Sequence, residues 1–241
     1  MSYIDNNQLP YRPDHCQGGD YRQNYGYPPP YPFYEPIDPQ SGRVVSPASR
    51  AVIMLNNGYL PPFLVDEMTG GKNFPDLFAG PVLFPFHTDI ESSNPPPDGR
   101  IVSGGNGDAR DIANATDEEL RVLTGGNFNQ WPRLRVNPAQ SLTIQWVNTI
   151  PRVTRGYRAF ITRDNWDSRV RIARNQLEPV PFFNTLNQGV PWQEHLGDLQ
   201  PRITLPLVLP FNKRGHHVII LLWLVANQPI AIYQAFDVDF G

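Results

Sequence analysis

The sequence predicts an all-β protein, a sandwich of immunoglobulin or fibronectin type III character, and three observations carry that prediction. Short apolar or alternating runs bounded by Gly, Pro and Asn recur at 44–45, 51–55, 142–147, 157–162, 203–209, 217–225 and 230–238. Through the last of them and just beyond it, Ile232, Gln234, Phe236, Val238 and Phe240 alternate with Tyr233, Ala235, Asp237 and Asp239, the period of a strand with one buried face. The run from Val218 to Val225 is continuously apolar and predicts a central strand covered on both sides.

Taken in order, residues 1–42 form an N-terminal arm and residues 43–241 the sandwich. The arm holds seven of the ten tyrosines and eight prolines, including Pro28-Pro29-Pro30. With few aliphatic residues it cannot build a core of its own and is expected to be extended or polyproline-like. Its aromatic residues Tyr21, Tyr25, Tyr27, Tyr31, Phe33 and Tyr34 are the expected contacts, to its own domain or to a neighbouring subunit, since each ring buries a large area at small rotamer cost. Between Tyr59 and Asp108 the chain reads as a long loop-rich insertion, punctuated by Pro61-Pro62, Gly70-Gly71, Pro95-Pro96-Pro97 and Gly104-Gly105. One short helix is predicted after Thr116, an N-cap residue with Glu119 three positions on and Gly125 as its stop.

The 241 residues suffice for one sizeable domain plus an extension. With 20 basic against 23 acidic residues, nothing points to nucleic acid or an anionic membrane as partner. The longest apolar run, Val218 to Ala226, is too short to span a bilayer. Cys16 is the only cysteine, so no disulfide can form within the chain, and the first thirty residues hold no apolar run of signal-peptide length. These features together set the expectation of a cytoplasmic protein, or one released by a route that reads no signal.

Several segments, in order, resemble one family. Ser41-Gly42-Arg43-Val44-Val45-Ser46-Pro47-Ala48-Ser49-Arg50 is similar to the His-Gly-x-Val-x-Ser-Pro-x-Ser-Arg start of the bacterial lytic polysaccharide monooxygenases and type 4 chitin-binding domains. Asp98-Gly99-Arg100-Ile101-Val102-Ser103 and Trp131 match further family segments. So do the run from Tyr157 to Asp167, with its Phe-Ile-Thr and Trp-Asp, and His217-Val218-Ile219-Ile220 followed by Trp223 and by Ala231 to Val238. The resemblance covers residues 41–241 and implies the same sandwich.

It also implies a copper site: an amino-terminal histidine, a second histidine and an axial aromatic ring. By this correspondence Ser41 stands for the first ligand, Arg152 for the second and Ile232 for the axial ring. A guanidinium has no lone pair to give a metal. The expectation is therefore a member without copper, without any other cofactor and without the oxidative activity.

Other candidate chemistry is thinner. His216 and His217 are neighbours on a predicted strand and should point to opposite faces, so they cannot chelate one ion together. By the resemblance His195 falls near a family histidine that is not a ligand, and His87 and His15 are isolated. Asp66/Glu67, Asp108/Asp111 and Glu118/Glu119 are the acidic pairs that a glycosidase would need, and Glu118 and Glu119 already suit the first turn of the predicted helix.

The resemblance places the loop Asn227, Gln228, Pro229, Ile230 on the family's former active face, beside Arg152 and Ile232. Its apolar and amide character suits a protein interface. The leading expectation is a non-catalytic structural protein that self-associates through its arm and this face, with a second copy of itself as partner. The alternative is a non-catalytic module binding chitin or another polysaccharide, and a third is an enzyme with a relocated site.

Overall fold

The computed structural model of the chain describes residues 41–75 and 88–241. The arm contacts Tyr21, Tyr25, Tyr27, Tyr31, Phe33 and Tyr34, together with His15, Cys16 and His87, lie outside the described residues. Strands are β1 (Gly42–Ser46), β2 (Thr69–Gly71), β3 (Arg133–Val136), β4 (Ser141–Asn148), β5 (Thr154–Ile161), β6 (Phe183–Leu186), β7 (Thr204–Val208), β8 (Gly215–Val225) and β9 (Ile230–Phe240). A three-stranded sheet runs β1-β4-β7, and a larger one runs β2-β9-β8-β5-β6 with β3 added parallel to β9.

Leu142, Ile144 and Trp146 of β4 alternate with exposed residues, so this strand turns one apolar face inward. They meet Tyr157, Ile161, Ile219, Leu221, Trp223, Phe236 and Val238 from the larger sheet, and this forms the layer between the sheets. The other face of the larger sheet is covered as well. Val218, Ile220, Leu222, Leu224, Tyr233 and Ala235 pack under Met54, Val65, Phe74, Ile101, Leu120 and Trp131. That second layer explains why β8 reads as an unbroken apolar run.

Two expectations are corrected here. The run 51–55 is helix, not strand: α1 (Arg50–Asn56) is capped by Ser49, whose side chain accepts from the Val52 amide. Five apolar residues in a row satisfy either period, and the capping serine settles the choice. The alternation in β9 does not mark a solvent face, because Asp237 is buried together with Gln234 and both are held by hydrogen bonds.

The described part of the insertion between Tyr59 and Asp108, residues 59–75 and 88–108, is more ordered than its composition suggests. It contributes α2 (Pro62–Asp66) as well as β2, which joins β9 through Thr69, Gly70 and Gly71. Gly71 admits no side chain, since a Cβ there would strike the Ser93 and Asn94 carbonyls. The helix expected after Thr116 is α3 (Asp117–Leu123), with a full capping box between Thr116 and Glu119.

Candidate functional site

Ser41 opens the described sandwich and is completely buried. Its amide donates to the Asp66 carbonyl at 3.1 Å, and its carbonyl accepts from the Thr149 and Ile150 amides at 3.1 and 3.3 Å. Its hydroxyl oxygen accepts from Arg152 Nε at 3.2 Å. Beside it, the Asp66 carboxylate accepts from Arg43 Nη1 at 2.6 and 2.8 Å and from Thr149 Oγ1 at 2.8 Å. Gly42 follows at a point where a Cβ would come within 3.3 Å of the Trp223 ring. Trp223 is paired across the sheet with Ile232, which is buried in the core.

The structure thus joins Ser41 directly to Arg152, while Ile232 lies behind them in the core layer. As a donor set these residues do not fit copper. The hydroxyl already accepts from a permanently charged guanidinium, the Ser41 nitrogen is a peptide nitrogen engaged with Asp66, and Ile232 is aliphatic. Among the described residues, no group of three or more His, Cys, Asp or Glu is placed to hold a metal ion.

The half-buried residues Asn227, Gln228, Pro229 and Ile230 form the β8–β9 hairpin tip. The Ala226 and Pro229 carbonyls accept from the Ile90 and Ser93 amides, each at 2.9 Å, and Lys72 Nζ donates to the Val225 and Gln228 carbonyls at 2.7 and 2.9 Å. The sequence gives little notice of this lysine. Its signals are that it is one of only two in the chain and that it follows Gly70-Gly71. Arg155 and Asp89, buried as an ion pair at 2.6 Å, also escape a reading by motif.

Burial is the main cause that pulls the Lys72 ammonium down from 10.5 to about 8, with Asp89 opposing and Arg155 assisting. Between those values the unfolded chain holds more protons than the folded one, so stability rises with pH across the window, by roughly 3 kcal/mol at most. Urea unfolding on both sides of the window checks this. The rise is expected in the wild type and absent in Lys72→Met.

The remaining candidates are structural. His217 Nδ1 lies 3.0 Å from Thr162 Oγ1 and its Nε2 3.0 Å from the Arg214 carbonyl, with burial first and Lys213 second lowering its pKa. His216 turns the other way, to Asp237 at 2.8 Å and the Trp166 ring. His195 faces Asp198. The acidic residues proposed as pairs each meet arginine: Asp66 with Arg43, Glu67 and Asp108 with Arg110, Asp111 and Glu119 with Arg171, Glu118 with Arg121.

Residues 42–238 match the family model described as lytic polysaccharide mono-oxygenase, cellulose-degrading. A chitin-binding domain from Burkholderia pseudomallei superposes with a TM-score of 0.75 at 34% identity, covering 83% of this chain and 99% of that one. An AA10 family lytic polysaccharide monooxygenase C from Mycosarcoma maydis is 30% identical over 141 residues, which is 54% of this chain and 40% of that protein. The chitin-binding protein CbpD of Pseudomonas aeruginosa is 30% identical over 115 residues, 47% of this chain and 28% of that protein. The matches therefore span less than half the length of these two relatives. They also overturn the expectation of a cytoplasmic protein, because the family's monooxygenases and chitin-binding proteins are typically secreted. By the match of its whole sandwich, the chain belongs to the lytic polysaccharide mono-oxygenase family.

Proposed function

We propose that this chain is a non-catalytic, polysaccharide-binding member of its family, with chitin as the first ligand to test. The Ser41–Arg152 contact carries the reading. Where the family resemblance calls for two imidazoles, a buried hydroxyl and a guanidinium satisfy each other at 3.2 Å. A site of that composition offers a metal no imidazole nitrogen to bind it, and the guanidinium has no lone pair to take that place. The support for a polysaccharide ligand is the 34% identity to a chitin-binding domain over nearly all of that domain.

The test is a pull-down of the full chain on chitin and on cellulose, followed by incubation with copper, a reductant and peroxide. Retention on chitin without oxidised oligosaccharides is expected. Oxidised products would sink the non-catalytic part, and failure to bind either polymer would sink the binding part.

Assembly through the arm is the second reading. It rests on the seven tyrosines of residues 1–42 and the apolar tip at Pro229 and Ile230. Light scattering on the same sample reads it directly, as a mass above that of the monomer.

A further inference from the structure

Two buried cations hold the loops at one end of the sandwich by their backbone carbonyls. Lys72 takes the Val225 and Gln228 carbonyls, at 2.7 and 2.9 Å. Arg155 donates through Nη1 to the Asn187 and Gly189 carbonyls, at 2.5 and 3.0 Å, and through Nε and Nη2 to both oxygens of Asp89, at 2.8 and 2.6 Å. Asp89 in turn begins the segment whose Ile90 and Ser93 amides take the Ala226 and Pro229 carbonyls. Four of the five carbonyls from 225 to 229, those of Val225, Ala226, Gln228 and Pro229, accept from groups outside the hairpin.

A core needs no such arrangement. Burying an ammonium is costly, and packing alone would be served better by an apolar residue of similar size. What a fixed ammonium provides is several donors at set positions, which can define the shape of a segment that has no regular hydrogen bonding of its own. Lys72 is itself fixed, because its amide and that of Asn73 both donate to Ser92 Oγ, at 2.8 and 3.1 Å.

We infer that Lys72, with the Arg155–Asp89 pair behind it, is a positioning residue that sets the conformation of the 226–230 tip and so the shape of the polysaccharide-binding face. This rests on the reading that the tip belongs to that face.

The full chain is compared with Lys72→Met, Lys72→Arg and a core control, Ile219→Val, by hydrogen exchange of residues 226–231 and by affinity for chitin beads. Losing charge-assisted hydrogen bonds at two carbonyls is expected to speed exchange of the tip about tenfold in Lys72→Met and to weaken chitin binding by a similar factor. Lys72→Arg, which keeps the charge and paired donors, is expected to restore both to within about threefold. Ile219→Val lowers stability without touching the tip and should leave both unchanged.

Unchanged tip exchange in Lys72→Met, or equal loosening in Ile219→Val, overturns the inference. If Lys72→Met does not fold, Lys72→Arg decides alone: wild-type protection is expected, and a loosened tip counts against it. If the wild type binds neither chitin nor cellulose, the binding reading falls while the exchange result still judges the clamp.

Discussion

Replacing Asp237 by Asn is expected to destabilise the sandwich by about 3–5 kcal/mol, because it leaves a buried guanidinium without its counter-charge. Asp237 lies on β9 with its carboxylate wholly enclosed, accepting from Arg50 Nε at 2.7 Å, Arg50 Nη2 at 2.9 Å and His216 Nε2 at 2.8 Å. Arg50 is equally enclosed, sits 4.6 Å above the Trp131 ring and donates to the Ala113 and Ala115 carbonyls. One residue thus ties α1, the segment before α3 and the central sheet together. Burial alone would raise the Asp237 pKa, but the charge and hydrogen bonds of Arg50, then those of His216, outweigh it and hold the carboxyl below 3.8. The stability this supplies is present above that ordinary value and is lost as pH falls through the lower folded one. Calorimetry should show the melting temperature of Asp237→Asn lowered by roughly 6–20 °C at neutral pH, with the gap to the wild type closing in strong acid. A neutral-pH change under about 1 kcal/mol would mean that the pair is not a keystone.

The pattern of apolar residues revealed most of this fold, and the reasons it fell short are specific. β4, β8 and β9 announce themselves through period-two alternation or an unbroken apolar run, β5 through a short apolar run interrupted by Arg158, and α3 through its capping box. The 51–55 run does not, because five apolar residues fit a helix face and a strand equally well. Ser49, at the right distance before it, is the signal that decides. β2 is three residues with two glycines, visible only once β9 is there to receive it. At the candidate site, family resemblance leads to Ser41 and Arg152, and their contact is a single hydrogen bond across 111 residues of sequence. Lys72, Asp89 and Arg155 belong to no motif. Their importance lies in burial and in which carbonyls they reach, and neither is written in local sequence.

Truncating Trp223 to Ala is expected to cost about 3–5 kcal/mol as well, and to reach the site as well as the core. The indole is fully buried on β8, with Trp146 at 5.5 Å edge-on and Tyr157 at 6.4 Å stacked, so three aromatic rings form the centre of the layer between the sheets. Its Nε1 donates to Thr154 Oγ1 at 2.8 Å, at the start of the strand that follows Arg152. Its ring also lies beside Gly42, directly after Ser41. A cavity there removes the support on which the Ser41–Arg152 contact rests. Trp223→Phe separates the two contributions: it keeps a six-membered ring in the core and loses the donor, so about 1 kcal/mol is expected from the lost hydrogen bond to Thr154 Oγ1, which still donates to the Arg152 carbonyl. Urea unfolding of both variants measures the difference, and near-equal losses would place the weight on the hydrogen bond rather than on the packing. A large gap between them would mean that the site end of this sandwich is held chiefly by aromatic packing in its core.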